Sequence, residues 1–458
     1  MINKLLLHST LLKVIKMEIK KVLSLIFWLV TGLCLLFWRI GYSSSLSAHK
    51  KTSQSCINTN CHAGLVKTKF VHGPAAVGAC LQCHELLPNE EHKFKKIGPS
   101  VSLCNNCHDP IKSDKVNHTP FAKGDCAVCH NPHGSDQRFM LRQKSIPQLC
   151  FSCHKKEMIK KKTLHPPVEE GDCLVCHQPH SSSDLKLLVK PGNSLCFTCH
   201  TDIESGLTEA KNIHTPVSQC TSCHNPHGSD SRRMLSKDVP NLCFTCHDGI
   251  KQTIMQAVDK HKAIEEGEKC MNCHLPHFTK FPKLLLNEPI SLCLSCHNKT
   301  MKVQNGTLAN MKELFEKNSN WHGPIRERDC SACHNTHGSK TDFRLLKWIY
   351  PKEFYSSFSV EQYELCFKCH QPTLVLDPKT TTLTRFRNRE QNLHFLHINK
   401  KVKGRTCRTC HETHASQRNR HIRESVPYGK WDLPIHFEKT NEGGKCSPGC
   451  HAPKEYKR

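Results

Sequence analysis

The chain has 458 residues, a formal net charge of +25 and only 37% hydrophobic and 7% aromatic residues, where ordinary globular domains run at about 45–50% apolar. Side chains of this composition make a poor core by themselves. The length alone implies about three domains, but an internal repeat built on 30 of the 31 cysteines overrides that prior.

Residues Val22 to Trp38 form an uncharged apolar run, preceded by Lys16, Lys20 and Lys21 and followed by "GYSSSLSA". This reads as an export signal with Met17 as the more ordinary start. It is either cleaved after Ser47 or Ala48 or, being nearly long enough to span a bilayer, kept as an anchor. Residues 1–48 are therefore set apart from a dense region at 49–300 and a looser one at 301–458.

Beyond the leader every cysteine is paired and every pair is followed at once by histidine. Thirteen pairs read C-x-x-C-H. In chain order they are Cys80 and Cys83 with His84, Cys104 and Cys107 with His108, Cys126 and Cys129 with His130, and Cys150 and Cys153 with His154. Next come Cys173 and Cys176 with His177, Cys196 and Cys199 with His200, Cys220 and Cys223 with His224, and Cys243 and Cys246 with His247. Then follow Cys270 and Cys273 with His274, Cys293 and Cys296 with His297, Cys330 and Cys333 with His334, Cys366 and Cys369 with His370, and Cys407 and Cys410 with His411. Two end motifs are stretched: Cys56 and Cys61 with His62, and Cys446 and Cys450 with His451.

Disulfide frameworks and zinc ribbons give no reason for a histidine after every second cysteine. Covalent c-type haem does. Positions i and i+3 of one helical turn share a face, so both thiols reach the porphyrin vinyl groups while the next residue turns its imidazole to the iron. The pattern predicts about 15 covalent haems, with the motif histidines as proximal ligands.

A second ligand on each iron must come from elsewhere. Six histidines follow a motif by three residues, as in "CHNPH": His133, His180, His227, His277, His337 and His414. Three residues span at most about 10 Å, too little to pass around a haem edge, so each should serve a neighbouring haem. A second class lies upstream of the motifs: His49, His72, His118, His165, His214, His261, His322, His397 and His436. His92 stands in for the x-Pro-His element that the first full unit lacks, His394 competes with His397, and His421 is a spare. Eighteen candidates thus face 15 distal positions.

First motifs of successive units start at 80, 126, 173, 220, 270, 330 and 407. Insertions loosen the later units: 299–321, whose "LANMKELFEKN" reads as a short amphipathic helix, 341–363 and 371–393. They are read as spacers, with docking surfaces as the alternative. The expected fold is mostly irregular with short α-helices and negligible β, an extended file of haem pairs each touching only its neighbours.

Over residues 126–297 the sequence resembles the doubled-CXXCH family of multihaem cytochromes c. Its pattern "CxxCHxPHGS...LCxxCH" appears almost verbatim at Cys126, Cys173 and Cys220 and more loosely at Cys270 and Cys330. The layout is similar to the decahaem cytochromes housed in outer-membrane porin conduits. The resemblance implies periplasmic haem attachment, bis-histidine ligation and electron transfer, with no catalytic residue. The expectation is an electron conduit in the periplasm or at the outer membrane. Its partners would be redox proteins, an outer-membrane porin or an inner-membrane quinol oxidase, with membrane association through the N-terminus. The alternative is a reductase of nitrite or a similar oxyanion with one open iron, against which stands the absence of any C-x-x-C-K motif. Nucleic acid is not needed to explain the charge. The chain after residue 48 carries +20, and fifteen haems at about −1 ferric or −2 ferrous bring it to roughly +5 or −10.

Overall fold

The computed structural model describes residues 56–57, 62–88, 90, 92–303 and 306–458. The leader, His49 and Cys61 lie outside the described residues.

Each regular motif is one helical turn. From Cys104 to Cys407 the histidine N–H returns to the carbonyl of the first cysteine four residues back, as in His130 to Cys126 at 3.0 Å and His154 to Cys150 at 2.9 Å. First motifs of a unit are short 3-10 turns, such as Cys126–Val128, Cys173–Val175 and Cys220–Ser222. Second motifs close short α-helices such as Ile146–Cys150 and Pro289–Leu294. Those helices start at capping side chains: Ser145 accepts from the Gln148 N–H and Glu288 from the Ser291 N–H, filling donors that the first turn leaves free.

The units are laced by antiparallel ladders only two residues long. Phe70–Val71 pairs with Gly134–Ser135, Val116–Asn117 with Ser181–Ser182, Thr163–Leu164 with Gly228–Ser229, and Asn212–Ile213 with Phe278–Thr279. Each strand ahead of one unit thus pairs with a strand from the next. The approach is close: a Cβ on Gly228, whose φ is +150°, would meet the Thr163 carbonyl at 2.6 Å. The described residues hold eleven small sheets, more strand than the sequence led one to expect. Two-residue ladders are too short to show the alternation by which a strand is read.

Every buried hydrophobic side chain among the described residues lies at Ile290 or beyond. Leu346, Tyr350, Tyr363, Val375 and Ile398 form one cluster, and Phe315, Ile325 and Ala415 another. The insertions at 341–363 and 371–393, read above as spacers, supply the first cluster. The insertion at 299–321 carries the helix Met311–Lys317, capped by Asn310, which buries Phe315. No described helix is long and apolar enough to cross a membrane.

Candidate cofactor site

The histidines meet in fifteen opposed pairs, one for every motif. His62 faces His92, His84 faces His133, His108 faces His72, His130 faces His180 and His154 faces His118. His177 faces His227, His200 faces His165, His224 faces His277, His247 faces His214 and His274 faces His337. His297 faces His261, His334 faces His414, His370 faces His322, His411 faces His394 and His451 faces His397. Ring centroids are 5.7 to 6.4 Å apart and ring planes are 5° to 40° from parallel. Metal–imidazole bonds run about 2.0–2.1 Å and a ring centre lies about 1.1 Å beyond its nitrogen, which puts two rings on one metal about 6.2 Å apart. The gap therefore fits a single metal atom held axially between each pair.

A rule runs through the pairing. The histidine three residues after a first motif faces the first motif of the preceding unit, as His227 faces His177. The upstream histidine faces the second motif of its own unit, as His214 faces His247. The two meet through the backbone: His118 N–H donates to the His180 carbonyl at 2.9 Å and His214 N–H to the His277 carbonyl at 3.0 Å. The proline of x-Pro-His also takes part, since its carbonyl lies 3.0 Å from His118 Nδ1 and 2.9 Å from His214 Nδ1. An Nδ1–H donated to a carbonyl leaves the Nε2 lone pair free for a metal.

The first motif histidines are aimed by a device that the sequence reading missed. From the motif of Cys126 onward, two successive residues in the linker after each first motif have positive φ: Phe139–Met140, Lys186–Leu187, Arg233–Met234, Lys283–Leu284, Arg344–Leu345 and Arg420–His421. Such left-handed residues cost about 1–2 kcal/mol each when they are not glycine. Their carbonyls are what the strain secures. Phe139 O lies 2.7 Å from His130 Nδ1, Lys186 O 2.9 Å from His177 Nδ1, and Arg420 O 2.8 Å from His411 Nδ1. The readable signal was the fixed spacing of nine residues, ten in the unit of His334.

The two end regions of the array depart from the rule. His92 faces His62 at one end and His394 faces His411 at the other. His394 and His397 do not compete: both project from the helix Leu393–Ile398, whose N-terminus Asn392 caps, toward two different motifs. His436, expected as a distal ligand, faces no motif histidine. It is exposed with a φ of +39°, and His397 takes the position opposite His451. His421 lies edge-on to His322 at 5.6 Å, with a buried Nδ1 that lacks a partner. Burial, reinforced by the opposed His411 and His334, holds His394 and His414 down to about 4, so both rings are neutral at pH 7.

Successive cysteine pairs are spatial neighbours in sequence order. First thiols lie near one another across motifs at Cys56 and Cys80, Cys104 and Cys126, Cys150 and Cys173, Cys196 and Cys220, Cys243 and Cys270, Cys293 and Cys330, and Cys366 and Cys407. At the alternate junctions a second thiol faces the next motif: Cys83 beside Cys104, Cys129 beside Cys153, Cys176 beside Cys196, Cys223 beside Cys243, Cys273 beside Cys296, Cys333 beside Cys366, and Cys410 beside Cys446. One continuous void of about 6590 Å³, lined by these thiols and imidazoles, runs along the array from His118 onward. The described cysteines are all free thiols, and no three of His, Cys, Asp or Glu among the described residues converge as a zinc site requires. Axial imidazole pairs flanked by free thiols match the donor set of covalent haem c.

No curated protein matches the chain. The doubled CXXCH motif matches it five times, over residues 118–159, 165–205, 214–252, 261–302 and 322–374. Each match opens on an upstream histidine, His118, His165, His214, His261 or His322, so the matched unit coincides with the structural one. Five successive copies of this motif indicate a multihaem c-type cytochrome with covalently bound haem c.

Proposed function

We propose that the protein is an electron-transfer conduit of about 15 bis-histidine haems, exported to the periplasm or the outer membrane, and an electron carrier without a catalytic site. The observation that carries the reading is the unbroken order of the motifs: each cysteine pair lies near the next, from Cys56 to Cys446. Haem c supplies reversible one-electron chemistry at iron. The residues of this chain do the rest. Paired thiols would fix each group, opposed imidazoles would supply the ligands of its iron, and the lacing of one unit to the next would keep neighbouring groups close. With about one motif per 30 residues, little chain remains for a substrate pocket. Its partners on this reading are a quinol-linked donor at the inner membrane and an acceptor reached through an outer-membrane porin.

The deciding experiment combines intact mass with the spin state of the oxidised holoprotein, before and after adding nitrite or carbon monoxide. Fifteen haems, all low-spin and inert, are expected. A high-spin haem that binds either ligand would make the protein a reductase instead. The His227→Ala variant checks the pairing rule: one haem, that of Cys173 and Cys176, should turn high-spin while the haem of His224 stays low-spin.

A further inference from the structure

The fifteen sites are not equivalent, and the difference concentrates at one of them. In the earlier units the residues between the two cysteines face solvent: Val128 is 49% and Val175 52% exposed. At the motif of Cys407 and Cys410 the corresponding Thr409 is 3% exposed, and Cys407 packs on the cluster of Tyr350, Tyr363 and Ile398. Arginine gathers at the same place. Of 17 arginines in the chain, 12 follow residue 325. Arg423 is 13% exposed, and its Nε donates to the His411 carbonyl at 3.2 Å. Arg408 lies 5.2 Å over the Phe343 ring, with Arg344 over the same ring at 5.6 Å. Arg405 stands over Tyr355 and close to Cys410. Against these four cations stand Glu412, 3.1 Å from Arg423, and Asp259, near Arg344. Arg418 and Glu424 cancel each other.

Both features act in one direction. A fixed positive charge favours the redox state with one more electron, and it does so more strongly where protein replaces water. Burial disfavours the ferric centre, which carries the extra positive charge, and arginine stays charged at every accessible pH. We infer that the haem held by Cys407, Cys410, His394 and His411 has the highest potential of the file, so that electrons collect near its C-terminal end. An electron arriving there from a neighbouring site adds one negative charge, with no bond made or broken. From this site the Cys446 motif is the last step, since Cys410 faces Cys446 and Cys450. The inference rests on the conduit reading, and it gives that conduit a direction.

The test is a potentiometric titration of the holoprotein followed by optical and electron paramagnetic resonance spectra. Mass is measured first, to establish haem content. In Arg408→Gln/Arg423→Gln the most positive component should move downward while the others stay in place. Arg142→Gln is the control, because Arg142 occupies the position of Arg423 in an exposed unit: both donate their N–H to the second cysteine's carbonyl, at 2.9 Å. That variant should leave the most positive component unmoved. Should the double variant load fewer haems, the single Arg408→Gln decides by the same shift. A fully loaded variant whose most positive component stays where it was overturns the inference and leaves the conduit reading intact. A wild-type protein with an open high-spin haem fails the conduit reading itself.

Discussion

Between Phe70 and Leu286 no described hydrophobic side chain is buried, whereas Leu346, Tyr350, Tyr363, Val375, Leu393 and Ile398 are buried within little more than fifty residues of one another. Both regions hold the same motif, the same opposed imidazoles and the same left-handed linker. What differs is the source of the interior. In the earlier units the void between the histidine pairs is the interior, and the haem it receives replaces a core of side chains. In the later units longer linkers fold over the site and add a core of protein. A cofactor-built repeat can thus stay short and regular, while a repeat that encloses its cofactor must lengthen.

The sharpest way to break the comparison is to withhold haem. Burial of apolar area is the main favourable term in folding, and without haem the residues from 62 to 289 retain almost none. Amide hydrogen exchange on a chain made without haem attachment should show no protection across the first four units. Some protection should remain around Tyr350, Tyr363 and Asn392. Equal exchange throughout would mean that the C-terminal cluster depends on haem as fully as the repeats do.

A smaller effect separates the regions in the loaded protein. Tyr363 is fully buried, edge-on to Tyr350 at 5.9 Å, and truncating a buried aromatic costs about 3–5 kcal/mol. Tyr363→Ala should therefore destabilise the C-terminal region by that amount in denaturant titration. Phe139→Ala, at a side chain 72% exposed, should stay within about 0.5 kcal/mol of the parent. Tyr363→Phe sharpens the point, because the hydroxyl is buried without a partner. Its removal should be neutral or stabilising, since an unmatched buried polar group costs about 1–3 kcal/mol.

The same contrast marks what the sequence could reveal. Motif spacing is local, so one turn carrying both thiols and an imidazole was readable at each site. That His227 would face a motif other than its own was also readable, from the reach of three residues. The upstream histidines were assigned to no motif, because His214 faces His247 across a long stretch of its own unit that no local spacing reveals. His436 was chosen by its distance from the last motif, yet position in the array decides. There the helix Leu393–Ile398 supplies the rings opposite His411 and His451. The core of the insertions went unread because its aromatic residues are scattered among lysines and prolines and show neither helical nor strand periodicity.

That helix offers the next test. Asn392 is fully buried; its Oδ1 accepts from the His394 N–H at 3.0 Å, and its Nδ2 donates to the Leu374 and Asp377 carbonyls at 2.9 and 2.8 Å. Asn392→Ala removes an N-cap worth about 1 kcal/mol and leaves two carbonyls short of a donor, for a total of about 2–3 kcal/mol. Because the helix carries both His394 and His397, the spectra of two haems should broaden together. No cap in the earlier units controls two histidines, so Ser145→Ala should change stability by about 1 kcal/mol and leave every haem spectrum unaltered.

The smallest expected effect lies in the linker that both regions share. Ser229 is buried; its Oγ donates to the Leu235 carbonyl at 2.5 Å and accepts from the Ser231 N–H at 3.0 Å. It thereby closes the loop in which Arg233 and Met234 hold their left-handed angles. Ser339 makes the same bond to the Leu346 carbonyl in a later unit. A net hydrogen bond contributes about 1 kcal/mol, so Ser229→Ala and Ser339→Ala should cost similar amounts if the loop alone sets the value. The surroundings differ, however: Leu346 belongs to the C-terminal core, and its carbonyl has the Thr341 hydroxyl within 3.2 Å as a second donor. Ser339→Ala should therefore cost less than Ser229→Ala. The Arg233 carbonyl, freed from its clamp only in the Ser229 variant, should let the His224 ring turn, which a change in that haem's low-spin spectrum would register. If Ser339→Ala proves the costlier of the two, the added core tightens the shared loop instead of substituting for it.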